Sequence, residues 1–154
     1  MHQWVMILSF LELAWTYPNY LLEIPNGFAV PDPCPGGTRS FAAVGHWQRA
    51  PHLMSFSFDR STTLNMFERN PFGMDYEKQK DWKVLCRIDS DGDGKTNGEE
   101  LGDPDCVWMK GTEPKGPATS HPGIKEEFQN NQTTISKSIR SKVNCEFEGQ
   151  MSFA

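Results

Sequence analysis

Asp89-Ser90-Asp91-Gly92-Asp93-Gly94-Lys95-Thr96-Asn97-Gly98-Glu99-Glu100 decides how the rest of the chain is read. Counted from Asp89, oxygen-bearing side chains fall at positions 1, 3, 5, 9 and 12, and Gly94 falls at position 6. A calcium loop needs that spacing, because a tightly wound chain turns every second side chain inward and glycine permits the left-handed backbone that the winding demands. Calcium takes six to eight hard oxygens at about 2.3–2.6 Å. Here Asp89, Asp91 and Asp93 offer carboxylates, Lys95 its backbone carbonyl, Asn97 its amide oxygen directly or through water, and Glu100 a bidentate carboxylate. Magnesium fits less well, since it keeps several waters and is rarely caged by protein carboxylates alone. Most acidic runs are merely solvated loops; the match of type to position argues otherwise here. Beyond the loop, Leu101-Gly102-Asp103-Pro104 breaks a helix within one turn, and no second loop of this kind occurs. The ion is therefore expected to be structural, not part of a calmodulin-like switch.

Working outward, residues 89–105 hold seven acids against Lys95, a net −6, in a chain of 154 residues whose formal charge is −5. The remainder is close to neutral, so the one strong field belongs to this stretch. Such a balance excludes a basic nucleic-acid footprint, and no apolar run reaches the ~20 residues that a membrane-spanning helix needs. A hydrophobic fraction of 37% and a mean hydropathy of −0.58 fit one domain of ordinary size. With 13 Gly and 11 Pro, much of the backbone is expected in turns. The fold class read from this is small α+β: loop-rich and disulfide-stapled, with one calcium loop and few short helices and strands.

Cys86 and Cys106 bracket the acidic loop, and Cys34 and Cys145 lie far to either side. Four cysteines allow three pairings. A bridge from Cys86 to Cys106 would close 21 residues and, by chain entropy, contribute about 3 kcal/mol; Cys34 and Cys145 would then remain as a long-range pair. No C-x-x-C pair is present, which disfavours a zinc ribbon or a thioredoxin-type site. Compartment agrees with bridges. Trp4-Val5-Met6-Ile7-Leu8-Ser9-Phe10-Leu11 has the length of a signal-peptide core, and Ala14-Trp15-Thr16 places small residues for cleavage before Tyr17, although no Lys or Arg precedes the core and Glu12 interrupts it. Residues 1–16 are read as a signal peptide, the product as secreted, and Asn131-Gln132-Thr133 as a glycosylation acceptor.

Between these landmarks, residues 17–37 read as extended chain and turns, sharpest at Ile24-Pro25-Asn26-Gly27. Residues 41–44 suit a short buried strand, 54–58 alternate like a strand, and 63–68 suit a helical turn. A helix is expected from Asp75 as N-cap through Leu85, burying Trp82, Leu85 and Cys86 on one face. Phe72, Trp82 and Trp108 are read as core first, with a ligand groove as the lesser reading. Residues 124–154 are polar and are expected to be a mobile tail that adds little to the core.

His46 and His121 sit beside Gly and Pro turns and are candidate ligands of a second, transition-metal site. Histidines 75 residues apart are more commonly satisfied by backbone hydrogen bonds, and neither His2 nor His52 makes a convincing third ligand. No Gly-x-Ser-x-Gly, Walker loop or HExxH motif appears, and a non-enzymatic role is expected.

The order of Tyr17-Pro18, Ile24-Pro25-Asn26-Gly27, Val30-Pro31, Pro33-Cys34, Val44-Gly45-His46, Asn70-Pro71-Phe72-Gly73, Trp82, Leu85-Cys86, the acidic loop, Glu100-Leu101-Gly102-Asp103-Pro104, Cys106, Trp108 and His121-Pro122-Gly123 resembles the temptin family, the secreted waterborne pheromone proteins of molluscs and their relatives. The resemblance covers most of residues 17–45 and 70–123, so the domain is drawn at 17–123 with a divergent insertion at 47–69. It implies a secreted attractant or signalling protein, with Cys86 paired to Cys106 and the outer cysteines to each other. Its implied partners are a receptor or companion pheromone proteins, and a monomer is expected. Two other classes stay open at this point: a calcium-dependent matrix or adhesion module, and a metal-dependent oxidase accessory built on His46 and His121.

Overall fold

Asn70-Pro71 starts the first α-helix, α1 (Pro71–Lys78), by two signals that lie side by side in the sequence. The Asn70 side chain accepts a hydrogen bond from the Gly73 N–H at 2.9 Å, and Pro71 occupies the first turn, where its missing N–H costs nothing. The helix ends at Gln79, and Asp81 then caps a second, one-turn helix, α2 (Trp82–Leu85), by accepting from the Lys83 N–H at 3.0 Å. The single helix expected from Asp75 is thus two helices, the first starting earlier, because two cap residues outrank one continuous apolar stripe. Trp82, Leu85 and Cys86 are nonetheless buried together, as the spacing predicts.

The computed structural model describes residues 19–37, 39–47, 68–129, 132–143 and 145. The signal peptide, the strand at 54–58, nearly all of the helical turn at 63–68, most of the 47–69 insertion and the Asn131 acceptor lie outside them. A 3-10 helix, Asn19–Glu23, precedes α1 and α2; then come α3 (Asn97–Glu100), strands β1 (Glu127–Gln129) and β2 (Gln132–Thr134), and α4 (Lys137–Val143). β1 and β2 pair antiparallel, with Glu127 opposite Thr134 and Gln129 opposite Gln132, and this ribbon is the one sheet among the described residues. The expected strand at 41–44 is a turn between isolated bridges, Pro31 with Ser40 and His46 with Arg69. Phe41 and Val44 are buried there, but the His46 N–H closes back on the Ala43 carbonyl at 2.7 Å instead of joining a ladder. What stands of the expected class is therefore a small, loop-rich chain with few short helices and two disulfides.

Two apolar clusters form the interior. Leu21, Ile24, Val30, Val44, Phe72, Trp82, Leu85, Leu101 and Trp108 surround the Cys86–Cys106 bridge, and Trp82 meets Trp108 edge to face at 6.2 Å between ring centres. Phe41, Ala43, Ile124, Ile135 and Val143 surround the Cys34–Cys145 bridge. Both pairings agree with the sequence expectation. The second cluster corrects the reading of residues 124–154 as a loose tail: the described part, through Cys145, folds as ribbon and helix and supplies Ile124, Ile135 and Val143 to the interior. Ile124, Ile135 and Val143 are buried and Ile139 packs half-buried against them, while the polar residues between mask the pattern.

Asn70 joins the clusters. Wholly buried, its Nδ2 donates to the carbonyls of Val44 at 2.8 Å and His46 at 3.0 Å. Close backbone approach surrounds it: a Cβ on Gly73 would lie 2.0 Å from the Gly45 carbonyl oxygen, and one on Gly123 would lie 2.6 Å from Asn70 Cγ. Asn26, at φ +54°, does similar work in the first turn, donating to the carbonyls of Leu101 and Gly116, each at 2.8 Å.

Candidate cation site

The acidic loop hangs between α2 and α3. Thr96 caps α3 through a reciprocal capping box with Glu99, and these hydrogen bonds hold the Glu99 carboxyl below its ordinary range. Gly92 and Gly94 take φ of +76° and +97°, the conformation their positions were expected to need. With those turns made, the loop's backbone bonds its own carboxylates. Asp89 accepts from the N–H groups of Gly92 at 2.8 Å and Gly94 at 3.0 Å, Asp91 from Asp93 at 3.2 Å, and Asp93 from Lys95 at 2.9 Å.

These bonds leave a particular set of oxygens over. Asp91 Oδ2, Asp93 Oδ2, Asn97 Oδ1 and Glu100 Oε2 are all buried with no hydrogen-bond partner. Asn97 and Glu100 are fully enclosed. The Asn97 amide nitrogen donates to the Leu85 carbonyl at 2.8 Å and to Ser90 Oγ at 2.9 Å, which fixes the opposite orientation of its oxygen. Glu100 Oε1 accepts from Ser120 Oγ at 2.9 Å, which leaves Oε2 over. Carboxylate oxygens of Asp89, Asp91 and Asp93 lie within 4.8 Å of one another. Buried polar atoms are almost always paired, and each orphan costs of order 1–3 kcal/mol. Four orphans, all acceptors and all at positions chosen by ligand spacing, fit a hard cation bound through oxygen.

Electrostatics point the same way. Burial, then the Asp93 charge, push the Asp91 carboxyl up to about 7; burial, then the Asp91 charge, push Glu100 up to about 9. With protein charges alone the cluster favours holding protons, and a divalent cation would reverse that by supplying the missing positive charge.

A second wall was not legible in the loop. Residues 120–126 run past it: Ser120 bonds Glu100, Lys125 Nζ donates to the Gly92 carbonyl at 2.7 Å, and Glu126 Oε2 lies 3.6 Å from Lys95 Nζ. Lys95 Nζ also lies 3.5 Å from Ser120 Oγ. Burial raises the Glu126 carboxyl above its ordinary range. No spacing rule links these residues to a loop some 20 positions earlier. Asp103, counted in the sequence only as one of seven acids, is wholly buried and accepts from Trp82 Nε1 at 2.8 Å and from the N–H groups of Val107 and Trp108 at 3.0 and 2.9 Å.

The two histidines occupy different surroundings. His46 is half-buried beside α1, its Nδ1 enclosed without a hydrogen-bond partner. His121 is wholly enclosed in the second cluster, edge-on to Phe41 at 4.7 Å, with Nδ1 accepting from the Gly123 N–H at 3.1 Å. Burial lowers its pKa to about 3, so the ring is neutral. Among the described residues, Asp89, Asp91 and Asp93 are the one group of three or more His, Cys, Asp or Glu side chains whose ligand atoms converge this closely, and it includes neither histidine. No helix among the described residues is long and apolar enough to cross a membrane.

Fold and site define a class: a small two-disulfide protein built around a single acidic loop of EF-hand spacing that lacks a long exiting helix. The family model described as Temptin C-terminal matches residues 14–124. Over 118 residues the chain is 44% identical to Temptin of Aplysia californica, covering 74% of this chain and 82% of that protein. The chain belongs to the temptin family. No solved structure matches it.

Proposed function

We propose that this protein is a secreted, pheromone-like signal whose shape is held by one structural calcium ion and whose folded surface is recognised by a receptor or by companion proteins. Membership of the temptin family carries the signalling part of this reading. The four partnerless buried oxygens at loop positions 3, 5, 9 and 12 carry the calcium part. Asp89, Asp91, Asp93, Asn97 and Glu100 would hold the ion with the Lys95 carbonyl, and the ion would supply charge balance and loop order, not catalysis. Two disulfides suit an oxidising exterior, as do the proposed leader at 1–16 and a sugar at Asn131. Signalling by recognition assigns no catalytic residue.

The test is to express the chain in a secretory host, purify it from the medium, and measure binding of the labelled protein to chemosensory membranes of the source animal with calcium present. Saturable binding competed by unlabelled protein is expected. Absence of saturable binding, with retention on extracellular matrix instead, would turn the reading to the adhesion class.

A further inference from the structure

Away from the loop, the 3-10 helix, α1 and α2 frame two adjoining cavities of about 260 Å³ each. Tyr20, His46, Arg69 and Tyr76 line one; Trp82, Lys83, Trp108 and Met109 line the other; Lys80 belongs to both. Tyr20 and Tyr76 in the first and Trp82 and Trp108 in the second set aromatic rings among charged groups, which include Glu77 in the first and Glu23, Asp81 and Lys110 in the second. Tyr20 and Tyr76 meet edge to face at 5.7 Å. Each indole N–H is tied away, Trp82 to Asp103 and Trp108 to the Thr112 carbonyl at 2.8 Å, so what the rings offer a ligand is carbon. Met109, 62% exposed, adds apolar surface to the second hollow beside the Glu23–Lys110 ion pair.

The charges of this face are unevenly spent. Arg69 is paired with Glu77 and Lys110 with Glu23, while Asp81 uses its carboxylate to cap α2. Lys80 and Lys83 make no ion pair among the described residues. Accepting an N–H does not cancel the Asp81 charge, so against Lys80 and Lys83 the face holds one positive charge in excess, in a chain of net charge −5, and Lys80 is set where the hollows meet. Complementarity then selects the occupant: apolar side chains for the two hollows and a carboxylate between them.

We propose that this double groove binds a protein segment in which an acidic residue is flanked by apolar or aromatic side chains, the carboxylate meeting Lys80. The proposal rests on the recognition reading above and specifies the chemistry of the partner.

The probes are three blocked peptides, acetyl-Phe-Glu-Phe-amide and its Gln and Lys counterparts, titrated into the calcium-saturated, ¹⁵N-labelled secreted protein. The expected result is that the Glu peptide moves the amide signals of Tyr76, Lys80 and Trp82, with Kd about three- to fivefold lower than for the Gln peptide and a larger gap to the Lys peptide. Lys80→Glu, an exposed substitution that should leave the fold intact, is expected to reverse the order so that the Lys peptide binds best. Equal affinities for all three peptides, shifts confined to other faces, or an order unchanged in Lys80→Glu would each overturn the proposal. Membrane binding measured on the same variant separates the two readings: peptide selectivity without saturable membrane binding retains the groove and removes the signal, and membrane binding undiminished in Lys80→Glu removes the groove and retains the signal.

Discussion

The buried, unpartnered oxygens of Asn97 and Glu100 fall at positions legible in the sequence, because a tightly wound loop fixes at set offsets which side chains turn inward. Asn70, Asp103 and Ser120 were not legible, because each owes its role to partners at least 15 positions away or to backbone groups that no side-chain pattern reveals. The surroundings of His121, read as a candidate ligand, were equally hidden: it is enclosed edge-on to Phe41, with Nδ1 bonded to the Gly123 N–H and Nε2 buried without a hydrogen-bond partner. That enclosure has a pH signature. The ring binds a proton readily when unfolded, near its ordinary 6.5, but only near about 3 when folded. The unfolded chain therefore holds more protons between those values, and the stabilisation is complete above the unfolded pKa and lost as pH falls below it, at up to ~1.4 kcal/mol per pH unit for one proton. Thermal melts in calcium buffer from pH 7.5 to 4.5 should show a smaller acid loss for His121→Asn than for the parent chain. Parallel curves would mean that the imidazole is not excluded from protonation.

At the scale of elements, local signals located the helices and mislaid their boundaries. The Asn70-Pro71 start and the Asp81 cap lay open in the sequence, yet the apolar spacing of Trp82, Leu85 and Cys86 drew the eye to one longer helix. The wall at 120–126 had no such signal, and its importance emerges only where Ser120 meets Glu100. By holding one oxygen of that carboxylate, Ser120 sets the direction of the other, as outer partners commonly do around metal ligands. Ser120→Ala is therefore expected to weaken calcium binding by about tenfold in isothermal titration while both disulfides still form. Unchanged affinity would mean that Glu100 is oriented by its own helix turn alone.

Over the whole molecule, each apolar cluster carries its own disulfide, and the acidic loop is tied to the first at its ends and to the chain entering the second through Ser120, Lys125 and Glu126. Leu85 and Leu101, at its ends, belong to the first cluster; Ser120, on its outer wall, is joined directly to His121 and by three further residues to Ile124 of the second. An ion in the loop would thus secure the junction between the halves. The polarity of residues 124–145 hid the second half from sequence reasoning, since a few well-spaced apolar residues suffice when a bridge holds them. The most direct measurement is thermal unfolding of the disulfide-intact secreted protein in millimolar calcium and in excess chelator, with Asp91→Asn as comparison. At 100 times the dissociation constant, bound calcium stabilises by about 2.7 kcal/mol, so Tm should fall by roughly 8 °C on chelation, and Asp91→Asn should respond far less. Identical Tm values for the parent chain with and without chelator would contradict a calcium-held fold.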